Sequence, residues 1–582
     1  MKATTILTVL VAARWLGTAS LAGVWQDVVV AAMFALGEAL LVRVRAGRWA
    51  VFALYWAIVG CATINIPVVR ALSTPITWPM LRAARGPLLD SFLEYASWTN
   101  ALRMSATLAL AATLPDITAD RARPRNRRMI LAGLACAAFF VVPDVMRAVT
   151  ASQQNPIVAL IVSLRPHVDA RPIQAEWRDS PFAAGESAQG RQSSSAKLHG
   201  AGRGRNVVFV SLESTAAQYL RLYGGPAVTP RLDDLSRDAL VFDNAYAAYP
   251  ESIKGLFSVL CSTFPAFDIS VEVHATVPCR SLASELKDAG YRTAMFHSGR
   301  FGYLGMDAVI RNRGYDVLAD AGDIGGVRRS SFGVDDATTV DRALAWIDDA
   351  PGSRFFLTYL PTAGHHPYAA PERGPVGGAE QSDRHRYLNA LWYGDKVLGA
   401  LIDGLRARGL ERDTLWVIAG DHGEAFGQHP GNFGHTFAIY DENVHVPLII
   451  ALPGAMSGQR RDSGIVSLVD IGPTILDLLG LPAPAGDQGH SALEPSAGMA
   501  LFFTDYATGL AGLRDGPWKY VLDIDSHRGE LFDMAADPLE RTDRTRTQPV
   551  RARWYRQHLI DWAAAQKARI TNAARTDPKK AS

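Results

Sequence analysis

The stretch Trp416-Val-Ile-Ala-Gly-Asp-His-Gly-Glu424 constrains this chain more than any other. A parallel strand buried on both faces reads as an apolar, β-branched run, and this run stops at Gly420 with Asp421 and His422 directly after it. Ligands of open α/β sheets gather outside the carboxyl ends of the strands, so the pair stands where metal chemistry is usually done. An isolated Asp-His pair is more often a cap beside a surface histidine, but this pair has company. A second run, Asn206-Val-Val-Phe-Val-Ser-Leu212, ends at Glu213, and Ser252 opens an apolar helical stretch. Carboxylate, hydroxyl, carboxylate and imidazole can converge on one divalent cation, with Glu213, Ser252, Asp421 and His422 as its protein ligands. Zn²⁺ or Mn²⁺ is the first expectation for that ion, and Mg²⁺ or Ca²⁺ fit the same oxygen-rich set.

From residue 205 onward, candidate strands at 206–212, 291–297, 354–361, 414–420 and 446–452 alternate with helical patterns at 230–240, 253–261, 281–289, 335–349, 383–408 and 471–480. This alternation predicts an α/β domain, a mostly parallel central sheet between layers of helices, over 205–545. The stretch 510–534 reads as a short antiparallel strand pair, and 546–582 as a C-terminal helix and tail.

The first 150 residues have another character. Apolar runs near 4–22, 24–42, 49–72, 98–116 and 129–148 approach the roughly 20 residues needed to span a bilayer. Basic residues bunch at Arg43-Val-Arg-Ala-Gly-Arg48 and Arg121-Ala-Arg-Pro-Arg-Asn-Arg-Arg128. Five spans with a cytoplasmic N-terminus put both clusters in the cytoplasm and everything after residue 150 outside, as the positive-inside rule requires. Arg14, Glu38 and Arg103 then lie at or near membrane depth, each expected to snorkel or to sit near a helix end. Residues 151–204 form a juxtamembrane segment and a linker, read as flexible because 166–204 is rich in Gly, Ser, Ala and Pro. The expected location is a bacterial inner membrane, multi-pass, with a periplasmic catalytic domain. A formal charge of only +2 argues against a nucleic-acid partner.

Four cysteines are present. Cys61 and Cys136 fall within apolar runs. Cys261 and Cys279 bracket a polar segment containing Pro265 and Pro278, and outside the cytoplasm they are expected to pair, a bridge contributing roughly 3 kcal/mol.

The order strand-Glu213, Ser252, Gly420-Asp-His-Gly-Glu424, His435 resembles the sulfatase-like branch of the alkaline phosphatase superfamily. Within it the chain looks most like the membrane-bound lipoteichoic acid synthase and phosphoethanolamine transferase group, over roughly residues 205 to 540. The resemblance implies that Ser252 is a nucleophile, and it casts His365, in His365-His-Pro-Tyr368, and His435 as catalytic ligands or proton donors. Lys254, His297 and Arg300 are expected on the substrate. True sulfatases follow the converted Cys or Ser with x-Pro-x-Arg; Ser252-Ile-Lys-Gly-Leu256 lacks both residues, so the hydroxyl is expected to stay unmodified. The Trp and Arg that hold glycerophosphate in lipoteichoic acid synthases are missing after His297, which leaves the headgroup open. The expected reaction moves a phospho-headgroup, of phosphoethanolamine or glycerophosphate type, from a membrane phospholipid donor to an envelope glycan or lipid acceptor. A periplasmic hydrolase of phosphate or sulfate esters and a non-catalytic envelope scaffold are the two alternatives.

Overall fold

The computed structural model of the protein describes residues 2–42, 45–72, 74–83, 97–119, 154–182, 198–330, 333–376, 382–494 and 498–575. The chain divides into two compact units: residues 1–166 with 429–433 and 506–508, and the remainder.

The N-terminal unit is built from helices Lys2–Thr18, Val24–Leu41, Arg45–Leu72 and Trp98–Ala119, with the short helix Pro156–Val162. Ile6, Val9, Leu10, Phe34, Tyr55, Val59 and Ile66 pack its centre, while Met33, Leu40, Trp49 and Leu102 point outward. Two of these helices, Val24–Leu41 and Arg45–Arg70, are long and apolar enough to cross a membrane. Among the described residues two of the five expected spans meet this length and composition, and the five-span arrangement is not confirmed. Lys2–Thr18 is one turn short, the helix at 98 carries Asn100 and Arg103, and the span expected at 129–148 lies outside the described residues. Arg14 does not snorkel. It is buried against Asp27, Nε to Oδ2 at 2.5 Å and Nη2 to Oδ1 at 2.8 Å, and Asn155 donates to the same carboxylate at 2.6 Å.

The larger unit is organised by eight strands: β1 (Asn206–Leu212), β2 (Ala239–Tyr246), β3 (Arg292–His297), β4 (Val317–Ala319), β5 (Phe355–Leu360), β6 (Thr414–Gly420), β7 (His445–Ala451) and β8 (Arg460–Ser467). Their order is β8-β2-β7-β6-β1-β5-β3-β4. All run in one direction except β7, which is antiparallel to both neighbours. The sheet is thus mixed rather than uniformly parallel. Strand alternation splits the core: Val207, Phe209 and Val417 face one helical layer with Ile475 and Leu479, whereas Val208, Val210, Trp416 and Ile418 face the other with Trp346 and Leu401. Each such side chain, fully buried, contributes roughly 1.5–3 kcal/mol.

The structure corrects several sequence readings. The helical pattern at 230–240 breaks after Leu235, and β2 starts at Ala239; Asp243 and Asn244 had masked its apolar half. Strand β8 gave no signal because its first half, Arg460-Arg-Asp-Ser463, is polar at the sheet edge. The expected strand pair near 510–534 is a four-stranded antiparallel sheet, β9 (Ala500–Thr504), β10 (Leu510–Asp515), β11 (Trp518–Asp523) and β12 (Arg528–Asp533). The C-terminal helix, Pro549–Arg575, lays Tyr555, Leu559 and Trp562 into the same core as Leu501, Leu513 and Tyr520. Part of the expected linker is ordered too. Val168, Trp177 and Phe182 join that core, and Arg178 forms a buried bidentate pair with Asp470, 2.5 and 2.8 Å. Composition hid this segment because a few anchors, not a periodic face, hold it.

Candidate active site

Strand register brings the two carboxylates together. Leu212 of β1 pairs with Gly420 of β6, so the residues that follow, Glu213 and Asp421, leave the sheet side by side at its carboxyl edge. Gly420 is required there: a Cβ would stand 2.2 Å from the Thr215 carbonyl oxygen. His297, ending β3, pairs with Leu360, ending β5, so the loop that carries His365 emerges at the same edge. Ser252 arrives from outside the sheet as the first residue of helix Ser252–Cys261.

Ligand atoms of Glu213, Asp421 and His422 lie within 4.8 Å of one another, the one such group among the described residues. Ser252 Oγ completes it, 2.8 Å from Asp421 Oδ2, 3.1 Å from Glu213 Oε2 and 3.2 Å from His422 Nε2. The surroundings hold these groups in place. Ser214 donates from its hydroxyl to Glu213 Oε1 and from its backbone N–H to Asp421 Oδ1, and the His422 N–H adds a second bond to Asp421 Oδ1. His422 Nδ1 lies 3.0 Å from the Gly423 carbonyl oxygen, which makes it the protonated nitrogen and turns the Nε2 lone pair toward the carboxylates. Burial and the charge of Glu213 push Asp421 above its ordinary value. Burial opposes ionisation of Glu213 as well, but His365, His422 and His435 around it hold it below the carboxylate range. Two buried carboxylates, a hydroxyl and an imidazole lone pair therefore fit a divalent cation, and all four expected ligands are among them.

The histidines form a second layer. His435 stacks on His422 with ring centroids 4.1 Å apart, and His365 lies 6.3 Å from His435. Burial disfavours charge on His435, yet the Glu424 carboxylate, 2.7 Å from Nδ1, overrides it and pushes His435 up to about 9. Glu424 also accepts from the Tyr368 hydroxyl at 2.5 Å. His297 is buried, with Nδ1 3.1 Å from the Leu360 carbonyl oxygen and its ring against Phe301. Arg300 is exposed on the following loop. Lys254, expected on the substrate, is instead buried against Asp505 at 2.9 Å.

The serine helix starts at Ser252 and is capped by the residue before it. Ser252 is not the N-cap; Glu251 is, its carboxylate accepting from the N–H groups of Ile253 and Lys254 at 3.1 and 3.2 Å. Those donors are occupied and do not offer a phosphate cradle, while the Ser252 hydroxyl is released from capping to face the cluster. Sequence reasoning passed over Glu251, Glu424 and Tyr368. A carboxylate directly before a helix start was the available signal for Glu251; Glu424 stood inside the motif without a role. Cys261 and Cys279 are bridged as expected.

Residues 205–481 match the Sulfatase family model. The chain is similar to the lipoteichoic acid synthase-like protein YvgJ of Bacillus subtilis, 27% identical over 301 residues that cover 48% of each protein. It is similar to arylsulfatase K of Bos taurus, 26% identical over 279 residues, 36% of this chain and 51% of that protein. The chain spans about half the length of these curated relatives. Among solved structures it resembles the lipoteichoic acid synthase LtaP from Listeria monocytogenes, with a TM-score of 0.53 and 19% identity over 68% of this chain and 97% of that one. A second is BT4656 in complex with its substrate D-glucosamine-2-N,6-O-disulfate, with a TM-score of 0.50 and 18% identity over 65% and 100%. At such identities the structural likeness concerns the fold. Strand order, ligand cluster and family match all fall on one segment: residues 205–481 match the Sulfatase model and lie in an α/β fold with a mixed central sheet.

Proposed function

We propose that this protein is a metal-dependent phosphotransferase that moves a phospho-headgroup from a membrane phospholipid to an envelope glycan or lipid, through a phosphoserine at Ser252. The observation that carries the reading is the placement of the Ser252 hydroxyl within hydrogen-bond reach of all three candidate metal ligands. Glu213, Ser252, Asp421 and His422 would hold the cation, which when bound lowers the pKa of the serine hydroxyl and offsets charge on a phosphoryl oxygen. Ser252 Oγ, entering as the alkoxide and leaving as the alkoxide in the second step, bonds to phosphorus as the P–O bond to diacylglycerol breaks. His435, kept protonated by Glu424, faces that reaction and supplies the proton for the departing alkoxide. His365 and His297, at the same sheet edge, orient the phosphoryl oxygens. An acceptor hydroxyl next attacks the phosphoserine, returns its own proton to His435, and frees Ser252. Similarity to YvgJ supports transfer over hydrolysis, and the apolar helices Val24–Leu41 and Arg45–Arg70 suit an enzyme whose donor lies in the bilayer. With the five spans expected from the sequence, the location is the bacterial inner membrane, with the catalytic unit on the periplasmic side.

Similarity to arylsulfatase K favours a second reading, hydrolysis of phosphate or sulfate esters with water as acceptor. Envelope lipids and glycans compared by mass spectrometry with and without the gene separate the two. Transfer predicts loss of a headgroup-modified product and of diacylglycerol release together; unchanged envelope composition with retained phosphodiesterase activity of the pure protein contradicts transfer and supports hydrolysis.

A further inference from the structure

Lys254 follows Ser252 by two positions in the same helix, about 200° around its axis, so the two side chains leave on opposite sides. Ser252 faces the ligand cluster, and Lys254 reaches away to Asp505, just after β9. The pair is buried and its bonds are complete. Lys254 Nζ donates to both oxygens of Asp505, 2.9 and 3.2 Å, and lies 4.5 Å over the Tyr249 ring. The Tyr249 hydroxyl and the Asp268 N–H also donate to Asp505, at 2.7 and 2.6 Å. Asp268 is itself gripped: its carboxylate accepts from the N–H groups of His167 and Val168 and from Lys567. The helix that presents Ser252 is thus tied, through Asp505 and Asp268, to the segment leading into the catalytic unit and to the C-terminal helix.

We propose that the Lys254–Asp505 pair is a positioning device that sets the roll of this helix and hence the place of Ser252 Oγ; the claim rests on Ser252 being the nucleophile. A buried ion pair is a poor choice for stability alone, since apolar residues of like volume usually serve as well. It is a good choice for registration. With side-chain tips about 5 Å from a helix axis, a roll of roughly 10° moves them by about 1 Å. A misplacement of that size costs about 100-fold in rate.

The test uses the full-length protein in detergent, loaded with Mn²⁺, with bis(4-nitrophenyl) phosphate as the probe. The double variant Lys254→Met/Asp505→Leu removes both charges together, so neither is left buried alone, and a melting curve checks its folding. Positioning predicts native metal content and kcat lowered about 100-fold with KM within about threefold, while Lys254→Arg keeps most of the rate. A double variant with wild-type kcat overturns the proposal. If that variant does not fold, Asp505→Asn, which keeps the shape and an acceptor oxygen, is read in the same way. The assignment of Ser252 fails separately, as a folded Ser252→Ala protein with near-wild-type turnover. Positioning is then read from hydrogen exchange, with faster exchange at amides 253–256 of the folded variant expected over an unchanged central sheet. Equal exchange at those amides overturns it.

Discussion

Two buried clusters in the catalytic unit contain the same pair of acids and differ in what lies between them. At one, Lys519 Nζ sits 2.7 Å from Asp441 and 2.7 Å from Glu540, joining β11 to the segment that leads into β7. At the other, Glu213 and Asp421 face imidazoles and the Ser252 hydroxyl, and among the described residues no lysine or arginine pairs with them. The first cluster carries its own cation and is finished as a structural joint. The second has two buried carboxylates held by hydroxyl and backbone donors beside imidazoles, with no fixed ammonium or guanidinium among the described residues. A fixed ammonium completes the joint, and an imidazole and a hydroxyl in its place leave a set that a divalent cation fits.

This contrast can be broken by mutation. Asp421→Asn or Glu213→Gln removes a ligand, and activity should fall at least about 1,000-fold with loss of bound metal in a folded protein. Metal analysis alongside a melting curve checks it; full metal content at native affinity would put the two clusters on the same footing. Lys519→Met should do the opposite. Leaving Asp441 and Glu540 buried without their cation costs about 3–5 kcal/mol, read as a lowered Tm, while metal per folded molecule stays native.

The third prediction concerns charge around the metal cluster. In the metal-free protein His435 is raised to about 9, because Glu424 outweighs burial. The ordinary histidine value is about 6.5, so its stabilising charge is fully present below about pH 6.5 and is lost as pH rises through about 9. Nuclear magnetic resonance of the His435 ring should follow this titration, and Glu424→Gln should move it down. The smallest effect is expected at Glu251. Replacing this cap by Ala should cost about 1 kcal/mol, measured by denaturant unfolding, with metal binding intact.

Much of the site was legible because its residues follow strands that announce themselves. Glu213 and Asp421 each end a continuous apolar run, and the register of those runs does the rest. Ser252 was legible from its apolar helix and from the family resemblance. What stayed hidden depends on partners distant in sequence. Lys254 and Asp505 are separated by 251 positions, and nothing local to either one foretells the pair. Strand β8 and residues 167–182 were missed for a related reason: each is held by an edge ladder or a few anchors, without a periodic apolar face. Membrane spans were only partly legible: the helix at Lys2–Thr18 has 17 residues and the one at Trp98–Ala119 carries Arg103, so two of the five expected spans stand out by length and composition.

The central claim is a covalent one, that the Ser252 hydroxyl takes phosphorus from a lipid headgroup. The most direct measurement incubates metal-loaded protein with donor phospholipid, quenches it, and maps added mass on the peptide that contains Ser252. The account predicts a headgroup phosphate on Ser252 in the wild type, and none in a folded Ser252→Ala protein that keeps most of its metal and has lost several orders of magnitude in rate. A folded Ser252→Ala protein with near-wild-type turnover would contradict it and leave Ser252 as a structural hydroxyl beside the cluster.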